Sequence, residues 1–307
     1  MKKKMLFIFN PRSGKGQIKS KLAQILDIFV KGGCEVIAHP TQGPGDAYRI
    51  VQEYRDQVDL VVCSGGDGTL DETAAGILKG DPVLPLGYIP AGSTNDFAGS
   101  LGLPANMLET AEEITKDFHF ACDAGDFNGR TFVYIAAFGL FTDVSYETDQ
   151  NMKNALGHLA YLLEAGKRIF NVPSYWIEVE TAERHMMGEF IYGMITNARS
   201  VGGIKNITGN RIELNDGLFE VTLIHPPKNP LELSEIIMSL LSPNDNKSKL
   251  IEDFRTDRLV ITSEQEIAWT LDGEAGGTHK EARISIKKQA LDLLVNPERA
   301  RGKEQKK

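Results

Sequence analysis

Cysteine is scarce in this sequence: Cys34, Cys63 and Cys122 are the three in 307 residues, and no two stand as a Cys-x-x-Cys pair. That scarcity excludes a disulfide framework, argues against a zinc site and points to a reducing compartment, the cytoplasm. Long apolar runs are missing too. The longest, Phe132 to Phe141, has ten residues where a transmembrane helix needs about 20. Met5–Phe9 is stopped at once by Asn10-Pro11-Arg12, too early for a signal peptide. Positive charge is in deficit, with 34 Lys plus Arg against 42 Asp plus Glu and a formal net charge of −8. This disfavours a nucleic-acid binder, whose affinity comes from cations set against phosphates. His39, His119, His158, His185, His225 and His279 show no metal-binding spacing, and there is no internal repeat or low-complexity tract. What is present, 41% hydrophobic and 25% charged residues, is the composition of a folded soluble chain with room for about two domains.

Up to residue 120, short apolar runs alternate with helical stretches in the order Met5–Phe9, Ser20–Lys31, Cys34–His39, Asp46–Gln57, Leu60–Ser64, Leu70–Lys79 and Leu86–Pro90. Strands alternating with helices predict an α/β domain built on a parallel sheet covered on both faces. After Cys122 the runs become Thr131–Phe138, Tyr175–Thr181, Glu189–Thr196, Leu218–His225, Arg258–Thr262 and Glu266–Leu271, joined by Gly, Asn and Asp turns. Successive strands with few helices predict an antiparallel β-sandwich domain. Two helices are expected within it. Asn151–Phe170 spaces Leu156, Leu159, Ala160, Leu163 and Phe170 along one face, and Leu231–Leu241 follows Asn229-Pro230, with proline in the first turn. The polar tail from Glu298 to Lys307 is expected to fray at its end.

Three glycine-containing turns each follow a predicted strand and precede a helix. In Ser64-Gly65-Gly66-Asp67-Gly68-Thr69-Leu70-Asp71-Glu72, glycines at a helix N-terminus leave amides uncovered for phosphate oxygens. Asp67 in their midst would repel phosphate unless a cation stood between, which implies magnesium; the alternative is a strand-to-helix turn without ligand. Asn10-Pro11-Arg12-Ser13-Gly14-Lys15-Gly16 has the Gly-Lys of a Walker A loop, but Phe9 and Gly16 stand where that motif requires Gly and Ser or Thr. It is a simple connection or a phosphate contact. Pro90-Ala91-Gly92-Ser93-Thr94-Asn95-Asp96-Phe97-Ala98 supplies short donors and a carboxylate, or else a helix N-cap. All three leave one edge of a parallel sheet, where open α/β folds bind ligands.

In the second domain, a strand continued through Leu271-Asp272-Gly273-Glu274 would point Asp272 and Glu274 to one face, as a general base for phosphoryl transfer requires; a hairpin turn is the alternative. Asn215-Asp216-Gly217-Leu218 is likewise a hairpin turn, or a loop whose Asp216 and carbonyls hold a hard cation.

Together these motifs, with Thr41 and Gly45 and with Cys122–Gly125, resemble the diacylglycerol kinase catalytic-domain family, in particular its soluble bacterial members and related bacterial lipid kinases. The resemblance spans almost the whole chain in the family's order; Gly-Gly-Asp-Gly-Thr alone is shared with NAD kinases. It implies a nucleotide-binding domain over 1–122 and 290–307, with the C-terminal segment returning to it, a β-sandwich domain over 123–289, and ATP in the cleft between them. Asn10, Pro11, Arg12, Ser13, Gly14, Thr41, Gly65, Gly66, Asp67, Gly68, Thr69, Leu70, Asp71 and Ser93 match nucleotide-contacting positions. Asp67, Asp96 and Asp123 match carboxylates that order Mg2+ through water. Asp216 with the carbonyls of Glu213 and Leu218 matches a structural magnesium site, and Asp272 with Glu274 matches the base region. The sequence departs at Asp71, where the family usually has Asn, at Asp46, where His is common after Gly45, and at Ser93, which replaces Thr.

The expected activity is that of an ATP-dependent lipid kinase turning diacylglycerol into phosphatidic acid. Alternatives are another lipid hydroxyl, on a phospholipid head group or a sphingoid base, an NAD kinase, and a nucleotide-sensing module. A membrane substrate implies peripheral contact at the inner face of the membrane, with Lys15, Lys19 and Lys21 or Lys167 and Arg168 as candidate patches. The resemblance further suggests a homodimer.

Overall fold

The computed structural model describes residues 2–139, 173–202, 204–205, 212–241 and 248–302. The chain divides into two compact units, Met1–Asp123 with Lys288–Lys307, and Ala124–Lys287. The helix expected over Asn151–Phe170 and residues 303–307 of the polar tail lie outside the described residues.

In the first unit, β1 (Lys3–Phe9), β2 (Cys34–Pro40), β3 (Leu60–Gly65) and β4 (Leu86–Pro90) form a parallel sheet in the order β2-β1-β3-β4. Strand β1 is apolar on both faces because both are covered. Met5, Phe7 and Phe9 enter a cluster with Ile18, Ile25 and Phe29 of α1 (Ile18–Lys31) and with Met107, Ala111 and Ile114 of α5 (Met107–Ile114); Leu6 and Ile8, on the other face, are equally buried. Helix α2 (Asp46–Tyr54) packs on α3 (Asp67–Leu78) at Gly76, where a Cβ would lie 3.0 Å from Val51 Cβ. The short helix α4 (Asp96–Leu101) follows β4. Since β2 and β3 lie on opposite sides of β1, the point where the winding reverses lies between β1 and β3, and open α/β sheets bind ligands outside the carboxyl ends there.

The second unit is antiparallel. Strands β7 (Ile135–Gly139), β10 (Tyr192–Thr196), β13 (Phe219–Ile224) and β14 (Ile251–Thr256) pair in sequence, and β7 also pairs with β15 (Arg258–Leu271). Strand β15 pairs in turn with β16 (Glu274–Leu294) and with β8 (Tyr175–Glu180), which carries β9 (His185–Phe190), while the two-residue strands β11 (Ser200–Val201) and β12 (Ile204–Lys205) pair with each other. The core is aromatic: Trp269 lies 4.9 Å from both Phe127 and Phe138, and Phe132 stacks on Phe219 at 5.6 Å. Helix α6 (Pro230–Leu241) starts at the predicted proline, with Asn229 Oδ1 accepting from the amides of Leu231 and Glu232.

Four expected strands are redrawn. Thr131–Phe138 is broken into β6 (Arg130–Phe132), which pairs with β5 (His119–Phe127), and β7, because the intervening amides turn onto a side chain described below. Glu189–Thr196 is broken at Ile191, whose amide bonds to Ile224 while β9 and β10 pair with different neighbours. Conversely, Arg258–Thr262 and Glu266–Leu271 are one strand carrying a register shift between Thr262 and Ile267. Its first half pairs with β8 and its second with β7.

Candidate active site

In the first unit, strand register levels the carboxyl ends of the sheet: Phe9 stands opposite both Pro40 and Ser64, and Gly65 opposite Pro90. The chain therefore leaves four strands at one edge. Main-chain bonds tie these exits together, from Thr41 N to Phe9 O at 2.9 Å, from Asn10 N to Ser64 O at 2.8 Å and from Ala91 N to Gly65 O at 2.8 Å. Beyond them the turns nearly touch. A Cβ on Gly92 would stand 2.7 Å from Gly66 Cα, one on Gly14 (φ +53°) 2.4 Å from Ala91 O, and one on Gly66 3.5 Å from Ser13 Oγ. Glycine is present because three backbones share this edge.

Polar side chains lock the turns. Asn10 Oδ1 accepts from Arg12 N at 2.9 Å, and the Asn95 amide bonds both the N–H and the carbonyl of Gly92, at 2.8 and 2.9 Å. Asn95 occupies the N-cap position of α4 with φ +54° but makes no side-chain cap bond; its amide closes the turn. Helices α3 and α4 begin here, and the first-turn amides of a helix have no partner within it. Asp67 and Asp96 are their first residues, and Asp96 N donates to Asp67 Oδ2 at 3.3 Å. Asp123 is wholly buried and accepts from Gln289 N at 2.6 Å. Thr69 fills the space beside Gly65, where a Cβ would lie 2.4 Å from its hydroxyl oxygen. Gly68 lies in the first turn of α3; Leu70 and Asp71 are buried on that helix, whereas Arg12 and Ser93 are exposed and Pro11 is half-buried.

Three further residues at this edge have roles that the sequence did not reveal. The Tyr88 hydroxyl lies 3.3 Å from both Gly65 O and Asn95 Oδ1; burial, then Asp67, Cys63 and Asp96, raises its pKa well above the ordinary value. Glu72 accepts from the amides of Gly45 (2.6 Å) and Ala47 (3.1 Å), fastening α2 to α3. Asp46 accepts from Gln42 N at 2.8 Å and from Arg49 Nη2 at 2.6 Å, and faces His39 Nε2 at 3.0 Å. Burial raises its pKa, but bonds to His39, Gln42 and Arg49 outweigh it and bring the group down to about 2. Arg49 stands one helical turn along α2 from Asp46, whereas the turn around Thr41 brings His39 and Gln42 to it.

In the second unit, Leu271–Glu274 takes the hairpin of the two alternatives that the sequence left open. Asp272 (φ +51°) and Gly273 (φ +85°) turn the chain, and Leu271 pairs with Glu274, as an Asp-Gly turn prefers. The two carboxylates therefore do not share a face. Asp272 is buried and accepts from the amides of Val133 (2.5 Å), Tyr134 (2.9 Å) and Ile135 (2.9 Å), which is what breaks Thr131–Phe138; Glu274 is exposed.

Asp216, expected at a structural magnesium site, lies in the turn before β13. Its Oδ1 accepts from Leu218 N at 3.0 Å and its Oδ2 pairs with Arg255, which also reaches Glu220 at 3.2 Å, while Glu213 is exposed. Burial pushes Glu220 up to about 7, with Arg255 opposing and Asp216 adding to the rise. Among the described residues, no group of three or more His, Cys, Asp or Glu side chains can hold a metal ion directly.

Residues 4–126 match the model of the diacylglycerol kinase catalytic domain. The chain is 31% identical over 277 residues to a diacylglycerol kinase of Bacillus subtilis (strain 168), covering 90% of this chain and 91% of that one. It is also 31% identical over 280 residues to one of Staphylococcus aureus (strain MRSA252), covering 90% and 88%. A solved structure of a putative diacylglycerol kinase from Bacillus anthracis str. Sterne superposes with a TM-score of 0.81 at 25% identity, covering 96% of each chain.

Proposed function

We propose, because the chain belongs to the diacylglycerol kinase family, that it is an ATP-dependent lipid kinase transferring the γ-phosphoryl group of ATP to the free hydroxyl of diacylglycerol, with phosphatidic acid and ADP as products. The observation that carries this reading is the meeting of the Asn10–Gly16, Gly65–Thr69 and Ala91–Asn95 turns at the reversal point of the first unit's sheet.

Amides of the first turn of α3 and of the glycine turns bind the phosphates, replacing water with dipoles already oriented. Thr41 and Asn10, held on the ends of β2 and β1, orient the rest of the nucleotide. Asp67 and Asp96, two hard-oxygen donors linked by a hydrogen bond from the Asp96 backbone N–H to the Asp67 carboxylate, fit Mg2+ carried on a water shell, with the buried Asp123 as the third carboxylate. Bound there, Mg2+ would neutralise triphosphate charge. Asp272 and Glu274 are the proposed base region that takes the acceptor hydroxyl's proton, the three amides on Asp272 fixing its orientation.

Such an acceptor lies in a bilayer, and no helix among the described residues is long and apolar enough to cross one. Lys15 and Lys19, exposed in and after the Asn10–Gly16 turn, are the proposed contacts to anionic lipid; Lys167 and Arg168 lie outside the described residues.

The test is transfer of label from γ-labelled ATP to dioleoylglycerol, sphingosine, a phospholipid and NAD, presented in mixed micelles. Label in the diacylglycerol product, abolished by EDTA, is expected; transfer to NAD alone overturns the reading. Asp272→Asn and Glu274→Gln are each expected to lower kcat by about 100-fold or more, and unchanged rates in both remove the base assignment.

A further inference from the structure

We propose that Arg255 supplies, within the second unit, the positive charge that the family resemblance assigns to a magnesium ion at Asp216, so that the turn Asn215–Leu218 is held without metal. The turn is compact: Gly217 takes φ +81° and Asp216 Oδ1 accepts the Leu218 amide at 3.0 Å. A cation would need the other oxygen, Oδ2, and that oxygen is paired with the Arg255 guanidinium.

Arg255 is no chance neighbour. It lies on β14 directly opposite Glu220 of β13, so the sheet register fixes where its side chain begins. The guanidinium is planar with adjacent donors, and it uses two of them, Nη2 to Asp216 and Nε to Glu220 at 3.2 Å. Glu220 is buried, and its Oε2 has no hydrogen-bond partner, so the guanidinium is the cation its carboxylate meets. One side chain thereby ties the loop to the strand that follows it and to the neighbouring strand. A divalent ion at Asp216 would have to displace this guanidinium or sit against it, and like charges repel most where water is thin. The sequence motif cannot report this, because Arg255 lies 39 residues beyond Asp216.

The experiment is thermal unfolding of the full chain without nucleotide, in EDTA and in MgCl2, for wild type, Asp216→Asn and Arg255→Met. In wild type the midpoint is expected to show no magnesium-dependent rise that Asp216→Asn removes. In Arg255→Met, which keeps the stem and deletes the charge, Asp216 and Glu220 face each other uncompensated. Its midpoint is expected to fall in EDTA and to recover by several degrees in MgCl2. A wild-type rise that disappears in Asp216→Asn would show the ion in place and overturn the proposal, as would an Arg255→Met chain indifferent to magnesium. Should Arg255→Met fail to fold, the wild-type and Asp216→Asn melts decide between the same two outcomes. Neither readout involves phosphoryl transfer, so the result is independent of the acceptor.

Discussion

At Gly92 a single methyl group decides whether two turns can share one edge of the sheet. With Gly66 Cα 2.7 Å from where a Cβ would stand, the obstacle is backbone and cannot rotate away. Gly92→Ala should therefore displace the Ala91–Asn95 turn from the Gly65–Thr69 turn and raise the KM for ATP by about tenfold or more, since shifts near 1 Å can cost about 100-fold in rate. Initial rates against ATP concentration check this, and an unchanged KM would mean that the two turns do not cooperate in binding. The sequence showed these glycines as turn formers without showing what they approach. Asp272 is the sharper case. Its Asp-Gly spacing permitted either a strand or a hairpin, and the burial of its carboxylate among the Val133, Tyr134 and Ile135 amides depends on a partner segment well over a hundred residues earlier.

Helix α2 shows the same dependence one scale up. It is held by side chains at its N-terminus, Glu72 gripping Gly45 and Ala47 from α3 and Asp46 joining Gln42, His39 and Arg49. The folded-state pKa of Asp46 lies below its ordinary 3.8, at about 2, so its contribution is present above 3.8 and is lost as pH falls through about 2. Asp46→Asn is expected to lower the neutral-pH Tm by roughly 3 °C, with the gap to wild type closing as the melts are taken down toward pH 2. A gap independent of pH would show that the carboxylate charge is not what matters. The elements of the first unit from β1 to β4 were legible because periodicity and turn residues are local, whereas α5 and β5 were not named; α3 starts at Asp67, with glycine admitted into its first turn, where the sequence placed the start at Leu70. The broken strands of the second unit were not legible, because each break answers to a distant segment.

For the molecule as a whole, the first unit is discontinuous in sequence. Its sheet ends on residues of β16: Leu293 pairs with Leu86, Leu294 enters the core with Phe7 and Phe29, Gln289 N bonds Asp123, and Asp292 lies 2.8 Å from His119 Nδ1. A chain ended after Lys287 should leave β4 as an exposed edge and strip the cover from a buried core. Its near-UV circular dichroism is expected to weaken and amide exchange in β4 to accelerate; native-like protection would show that the unit is complete without its C-terminal segment.

What the sequence by itself determined is the alternation of strand and helix from β1 to β4, the turns where glycine stands, and the family whose motif order it follows. Tertiary structure decided which turns meet, that Asp272 is caged by amides while Glu274 is exposed, and that Arg255 holds Asp216. Periodicity and turn propensity act over a few residues and are written locally. Strand order and register join residues far apart, and only the folded chain brings those partners within bonding distance.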